Sequence, residues 1–148
     1  MRFTAILAAV LLTGYLHASE DARILNAIGA VETGNDPSQI GDGGRAMGQY
    51  QMRWQAWRDA NLQLTREGEQ TYPFTEWHRP MVQDIIALAY LRVIRSRLRV
   101  AGYPKPSVAQ IALCWNMGFS AAHRIDFNPY RAYGDYASRV STIYASQK

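Results

Sequence analysis

The chain has 148 residues, 48% of them hydrophobic and 19% charged, with a net charge of +4 and a pI near 9.4. That length suits one domain with a real core and is too short for two of ordinary size, while the composition excludes a disordered chain. The basic balance suits an acidic partner, and the lone Cys114 excludes an internal disulfide framework.

Residues 1–18 begin Met1-Arg2-Phe3, continue through an apolar run from Ala5 to Leu12 and close with Leu16-His17-Ala18. A positive start, a short apolar stretch and a small residue at the cut define a signal peptide, leaving 19–148 as the domain. The run is too short to span a membrane, which takes ~20 apolar residues. An N-terminal core helix is the competing assignment, but the charge layout favours export. Nucleic acid would also satisfy the net charge, and export argues against it.

From Ala22, the apolar positions Ile24, Leu25, Ile28 and Val31 follow helical spacing, and Thr33-Gly34-Asn35-Asp36-Pro37 supplies helix-stop chemistry. A glycine-rich loop from Asn35 through Gly48 follows, with room for a small ribbon. A second helix is predicted from about Gln51 to Asn61, with Trp54 and Trp57 one turn apart. The longest candidate, Arg79 to Ala101, carries Val82, Ile86, Ala89, Val93 and Val100 on one stripe that Ile85, Leu88 and Leu91 widen. Such breadth predicts a central, largely buried helix. Ser107 is the expected N-cap of a helix from Val108 to about Trp115, closed by Gly118. Beyond Pro129, Tyr136, Val140, Ile143 and Tyr144 predict a last amphipathic helix.

On the first helix, a turn of about 100° per residue puts Glu32 at about 80° from Ile24, inside the apolar stripe. A carboxyl there is partly desolvated, which favours its neutral form and suits a general acid. The same spacing also suits a helix-end glutamate that reaches water or caps a backbone group.

Four stretches carry a resemblance: Val31-Glu32-Thr33-Gly34, then Arg45 to Met52, then Ala112 to Gly118, then Tyr136-Ala137-Ser138-Arg139-Val140. In that order they resemble the motifs of the soluble lytic transglycosylase family within the lysozyme-like superfamily. The matches run from Ile24 to Tyr144. Two departures stand out: Gln49 where the family usually has leucine, and Cys114-Trp115 in place of a common Ala-Tyr pair.

The resemblance implies a mainly α, lysozyme-like single domain, with a glycan groove between the loop at 35–51 and the turn at 115–118. It makes Glu32 the catalytic acid/base and puts Met47, Gly48, Tyr50 and Gln51 in the groove wall. Asn116 would hydrogen-bond sugar, unless its amide merely ties down the turn. The Tyr136 hydroxyl would sit near the glutamate, unless Tyr136 is a core residue. The implied substrate and partner is bacterial peptidoglycan, itself acidic, and no stable membrane insertion is implied.

Glycosidases that add water use two carboxylates. Ala46 stands before Met47-Gly48, where two-carboxylate lysozymes carry an aspartate, and Ala46 cannot activate water. Asp36 and Asp42 remain candidates, although aspartate in a glycine-rich turn usually serves the turn. Without a second carboxylate, a tethered substrate hydroxyl becomes the attractive nucleophile. That matches the family's reaction, in which the muramoyl 6-hydroxyl closes a 1,6-anhydro ring. The rivals are a lysozyme-type hydrolase using Asp42 or Asp36, and a non-catalytic wall-binding protein of the same fold.

Trp54, Trp57, Tyr72, Trp77, Tyr103 and Trp115 are all able to pack against sugar faces, although most such residues belong to cores. Arg92, Arg95 and Arg99 form a basic stripe of the kind that is usually a solvated helix face. His78 and His123 are isolated from each other and from Cys114, so no metal set is expected. No phosphate loop or dinucleotide fingerprint is present either, and a cofactor-free mechanism follows.

Overall fold

Ile24, Leu25, Ala27 and Ile28 give one face of the first helix, α1 (residues 20–33), a wholly buried seam. The protein is described here by a computed structural model covering residues 20–147, so the expected signal segment at 1–18 lies outside the described residues. Gly34 and Asn35 both take positive φ, 68° and 66°, and stop α1 where its sequence calls for a stop. The Thr33 hydroxyl donates to the Gln49 carbonyl at 2.9 Å, pinning the helix end to the loop that follows.

In that loop, β1 (Ile40–Gly41) and β2 (Ala46–Met47) form an antiparallel ribbon, with Ile40 opposite Met47 and Gly41 opposite Ala46. The next helix, α2 (Trp54–Glu67), begins three residues later than its apolar pattern suggests. The cause is local: Gln51 sits at φ 47° and Met52 bridges to Met47, so the chain is still looped until Arg53. At its other end α2 runs on to Gly68, whose left-handed conformation closes it.

The central helix, α3 (Pro80–Val100), buries Val82, Ile86, Ala89 and Val93 as the stripe requires. Ala87, Tyr90, Leu91, Ile94 and Leu98 are buried too, so α3 is covered almost all round by its neighbours. Val100, at 87% exposed, is the exception. A short 3-10 segment, Phe74–His78, precedes α3 without an apolar period to announce it.

Ser107 caps α4 (Val108–Met117) in a reciprocal box. Its hydroxyl accepts from the Gln110 N–H, and the Gln110 side chain accepts from the Ser107 N–H. Gly118, at φ 81°, turns the chain into the short α5 (Phe119–Arg124). The last helix, α6 (Tyr136–Ser146), packs along α4 through Ala137 and Val140.

α1 and α6 run antiparallel and are joined at both ends. At one end Arg23 Nη2 donates to the carbonyls of Tyr144 (3.2 Å) and Gln147 (3.0 Å), over the Tyr144 ring. At the other, the Tyr136 hydroxyl meets Glu32. Among the described residues the fold is mainly α with one small ribbon, and no helix there is long and apolar enough to cross a membrane. The expected basic stripe on α3 is partly neutralised, since Arg92 pairs with Glu67 at 2.6 Å and Arg95 with Asp21 at 2.8 Å.

Candidate active site

Glu32 occupies the last turn of α1, where the apolar seam keeps its carboxyl half-buried. Oε1 accepts a 2.6 Å hydrogen bond from the Tyr136 hydroxyl, delivered by the first residue of α6. Burial raises the Glu32 pKa above the ordinary carboxylate range. The Tyr136 bond and the positive charges of Arg139 and Arg53 pull it back without cancelling the rise. Tyr136 remains a donor, because burial and the neighbouring carboxylate push its own pKa far up.

This carboxyl opens onto a cleft of about 400 Å³. One wall is the loop, through Asp42, Ala46, Gln51 and Met52, continuing into Arg53 and Gln55 at the start of α2. The opposite wall is the end of α4, with Trp115, Asn116, Met117 and Gly118. Gln51 is fixed by its left-handed backbone and by donation from its amide to the Gly48 carbonyl at 3.0 Å. Asn116 is exposed, with a side-chain amide uncommitted among the described residues. Trp115 is held edge-on to Tyr50 and Tyr90, and its indole N–H donates to the Tyr50 carbonyl at 3.3 Å.

Of the residues singled out from sequence, Glu32, Gln51, Asn116 and Tyr136 therefore come together here. Met47, Gly48 and Tyr50 do not line the cleft. Tyr50 is buried and turned away, its hydroxyl donating to Asp84 at 2.7 Å, because the chain reverses at Gly48 and Gln51. Gly48 instead backs onto Gln83, and a Cβ there would overlap the Gln83 carboxamide. Of the six aromatics able to pack on sugar, Trp115 alone lines the cleft among the described residues. Trp57 is core, its indole N–H donating to the Tyr72 carbonyl at 2.7 Å.

The two aspartates separate clearly. Asp36 builds its own turn, accepting from Ser38 N–H (2.9 Å), the Ser38 hydroxyl (2.7 Å) and the Gln39 amide (2.9 Å). Those bonds lower its pKa, and it does not line the cleft. Asp42 does line it, with Oδ1 paired to Arg45 at 2.9 Å and Oδ2 to Arg53 at 2.7 Å.

Sequence inspection missed Arg53, Arg139 and Gln83. Arg139 was within reach of it, lying one helical turn beyond Tyr136. Gln83 gave no signal, as a single amide on an otherwise apolar face. Yet it is buried, accepts from the Gln49 N–H at 2.8 Å and donates to the carbonyls of Pro37 (2.9 Å) and Trp77 (2.7 Å), so it ties two points of the loop to α3.

The arrangement can give a proton from a carboxyl whose neutral form burial favours and then, as a carboxylate steadied by Tyr136, take one back. No family model matches the chain, and no curated protein or solved structure matches it.

Proposed function

We propose that this is an exported, lysozyme-like lytic transglycosylase that cleaves the bond between muramic acid and glucosamine in peptidoglycan. The observation that carries this reading is Glu32, a half-buried carboxyl with a raised pKa, bonded to a phenol and facing an open cleft. The four stretches that resemble the family supply the substrate class.

In this reaction neutral Glu32 protonates the glycosidic oxygen as the bond to the muramoyl C1 breaks. The carboxylate left behind accepts the Tyr136 hydrogen bond while cationic character builds on the sugar. It then takes the proton of the muramoyl 6-hydroxyl as that oxygen bonds to C1, closing the anhydro ring and restoring neutral Glu32. The nucleophile is tethered to the substrate, so no activated water is needed.

A lysozyme-type hydrolysis is the second reading, and the position of Asp42 in the same cleft favours it. Against it, both Asp42 oxygens are engaged by guanidinium groups, which leaves the carboxylate poorly placed to take a proton from water. Mass spectrometry of a wall digest decides. Anhydromuropeptides, lighter by one water, are expected, and Asp42→Asn should keep most of the turnover. Reducing muramic acid ends, with activity lost in Asp42→Asn, would make it a hydrolase, and absence of any product would make it a binder. Export predicts a mature chain beginning near Ser19, and N-terminal sequencing that found Met1 intact in a cytoplasmic pool would oppose it.

A further inference from the structure

The C-terminal end of α3 and the short α5 form a surface that the chemistry at Glu32 does not use. An open groove of about 380 Å³ lies between them, with Val100 and Ala101 on one side and Phe119 and His123 on the other. It shares no residue with the cleft, and Val100 lies about 15 Å along α3 from Tyr90 in the cleft wall. Aromatic contacts fix α5 to the turn after α3. The Tyr103 ring meets Phe127 edge-on at 5.1 Å, and Phe127 meets Phe119 at 5.2 Å.

Two features coincide on this surface. Val100 is an aliphatic side chain 87% exposed, continuous through the groove with Ala101 and Phe119. The same end of the molecule carries cations without counter-charges. Arg97 is neutralised by Asp59 at 2.8 Å and Arg131 by Asp126 at 2.6 Å. Arg99 in the last turn of α3, Lys105 in the turn that follows and Arg124 at the end of α5 have no ion-pair partner among the described residues, and all three are exposed.

A solvated helix face accounts for exposed arginines but not for an apolar apex among them. A soluble anionic polymer would satisfy the cations and leave Val100 and Phe119 in water. An anionic bilayer satisfies both, because its phosphates pair with guanidinium and ammonium groups while small apolar side chains enter the headgroup region.

We propose that this end of the molecule docks it peripherally on an anionic lipid surface, with Val100 entering the headgroups and Arg99, Lys105 and Arg124 meeting lipid phosphates. The docking does not depend on the reaction at Glu32. Its test is co-sedimentation of the processed protein with vesicles of phosphatidylglycerol and phosphatidylcholine in equal parts, and with vesicles of phosphatidylcholine alone.

Binding is expected to the mixed vesicles only, and to weaken as salt is added. Each cation removed should weaken it about fivefold, so Arg99→Gln, Lys105→Gln and Arg124→Gln together should cost about a hundredfold. Arg66→Gln, Arg79→Gln and Arg92→Gln together remove the same charge elsewhere and should keep most of the affinity. Depth is read with a polarity-sensitive fluorophore on Val100→Cys, since the native Cys114 is buried and escapes labelling. Its emission should move to the blue on mixed vesicles, while the same label on Met81→Cys, 62% exposed near the other end of α3, should not respond. Equal losses in the two triple variants would reduce the effect to net charge and overturn the proposal. So would labels that respond alike, or binding to soluble polyglutamate but not to vesicles, which would make the surface a polymer site.

Discussion

Opposed influences act on the carboxyl of Glu32: burial favours its neutral form, and Tyr136, Arg139 and Arg53 favour its charged form. Because burial wins, the folded protein holds the Glu32 proton more tightly than the unfolded chain does, whose glutamate has the ordinary value of 4.5. The stability this confers is complete below the unfolded pKa and is lost as pH rises through the higher folded one. Glu32→Gln cannot ionise, so its melting temperature should match the wild type in acid and exceed it near neutral pH, as thermal unfolding across pH will report. Its turnover should fall by at least about a hundredfold, the usual weight of general acid–base catalysis. A correctly folded variant with substantial activity would remove Glu32 from the chemistry. Tyr136→Phe has a sharper signature. The Tyr136 bond lowers the Glu32 pKa, so its loss lets that pKa rise further, and the alkaline limb of the pH–rate profile should move to higher pH. A merely structural tyrosine would leave that limb where it is.

Between α1 and α2, the loop is tied to α3 by one amide, that of Gln83, which bonds to it at Pro37 and Gln49. Gly48 is the contact point, at φ 73° with no room for a Cβ. Gly48→Ala should cost about 1–2 kcal/mol for the left-handed backbone alone, and more through the displaced amide. In a double-mutant cycle with Gln83→Ala, denaturant unfolding should show the double variant losing less than the sum of the two single losses. Ser107→Ala, at the start of α4, should cost about 1 kcal/mol by the same measurement. These cases also show what the sequence could tell. Ser107 was legible because capping is local, needing only a serine, a glutamine three residues on and an apolar run. The helices were legible for the same reason, since Ile24, Ile28, Val82 and Ile86 repeat at helical spacing. Gln83 was not, because a buried amide declares itself only through partners 34 and 46 residues away. Tyr50 was illegible in another way. Its motif gives its neighbourhood, but which side of the loop a ring faces depends on backbone reversals at Gly48 and Gln51. Glu32 stood between the two. Its helical phase put it on the seam, while its partner on α6 came into view only through the resemblance.

Across the whole molecule, α1 and α6 behave as one antiparallel unit, with the Glu32–Tyr136 bond at one end and the Arg23 contacts at the other. Arg23→Ala removes two hydrogen bonds to carbonyls and a cation over the Tyr144 ring, a loss of about 2 kcal/mol. It touches nothing in the cleft, and the contacts it removes hold the far end of the helix that carries Tyr136. The expected result is a lower kcat with KM nearly unchanged, read from steady-state kinetics on wall strands. A fall in stability with kcat intact would show that the two ends of the pair are independent.

The partners in the Glu32–Tyr136 bond are 104 residues apart in the chain. During synthesis the glutamate emerges first, on the first helix described, and its phenol follows only with α6. A chain interrupted before Tyr136 would carry the acid without the group that orients it, and would lack α6, which packs along α4 at the rim of the cleft. The Glu32–Tyr136 pairing therefore exists only once α6 has been made and has docked.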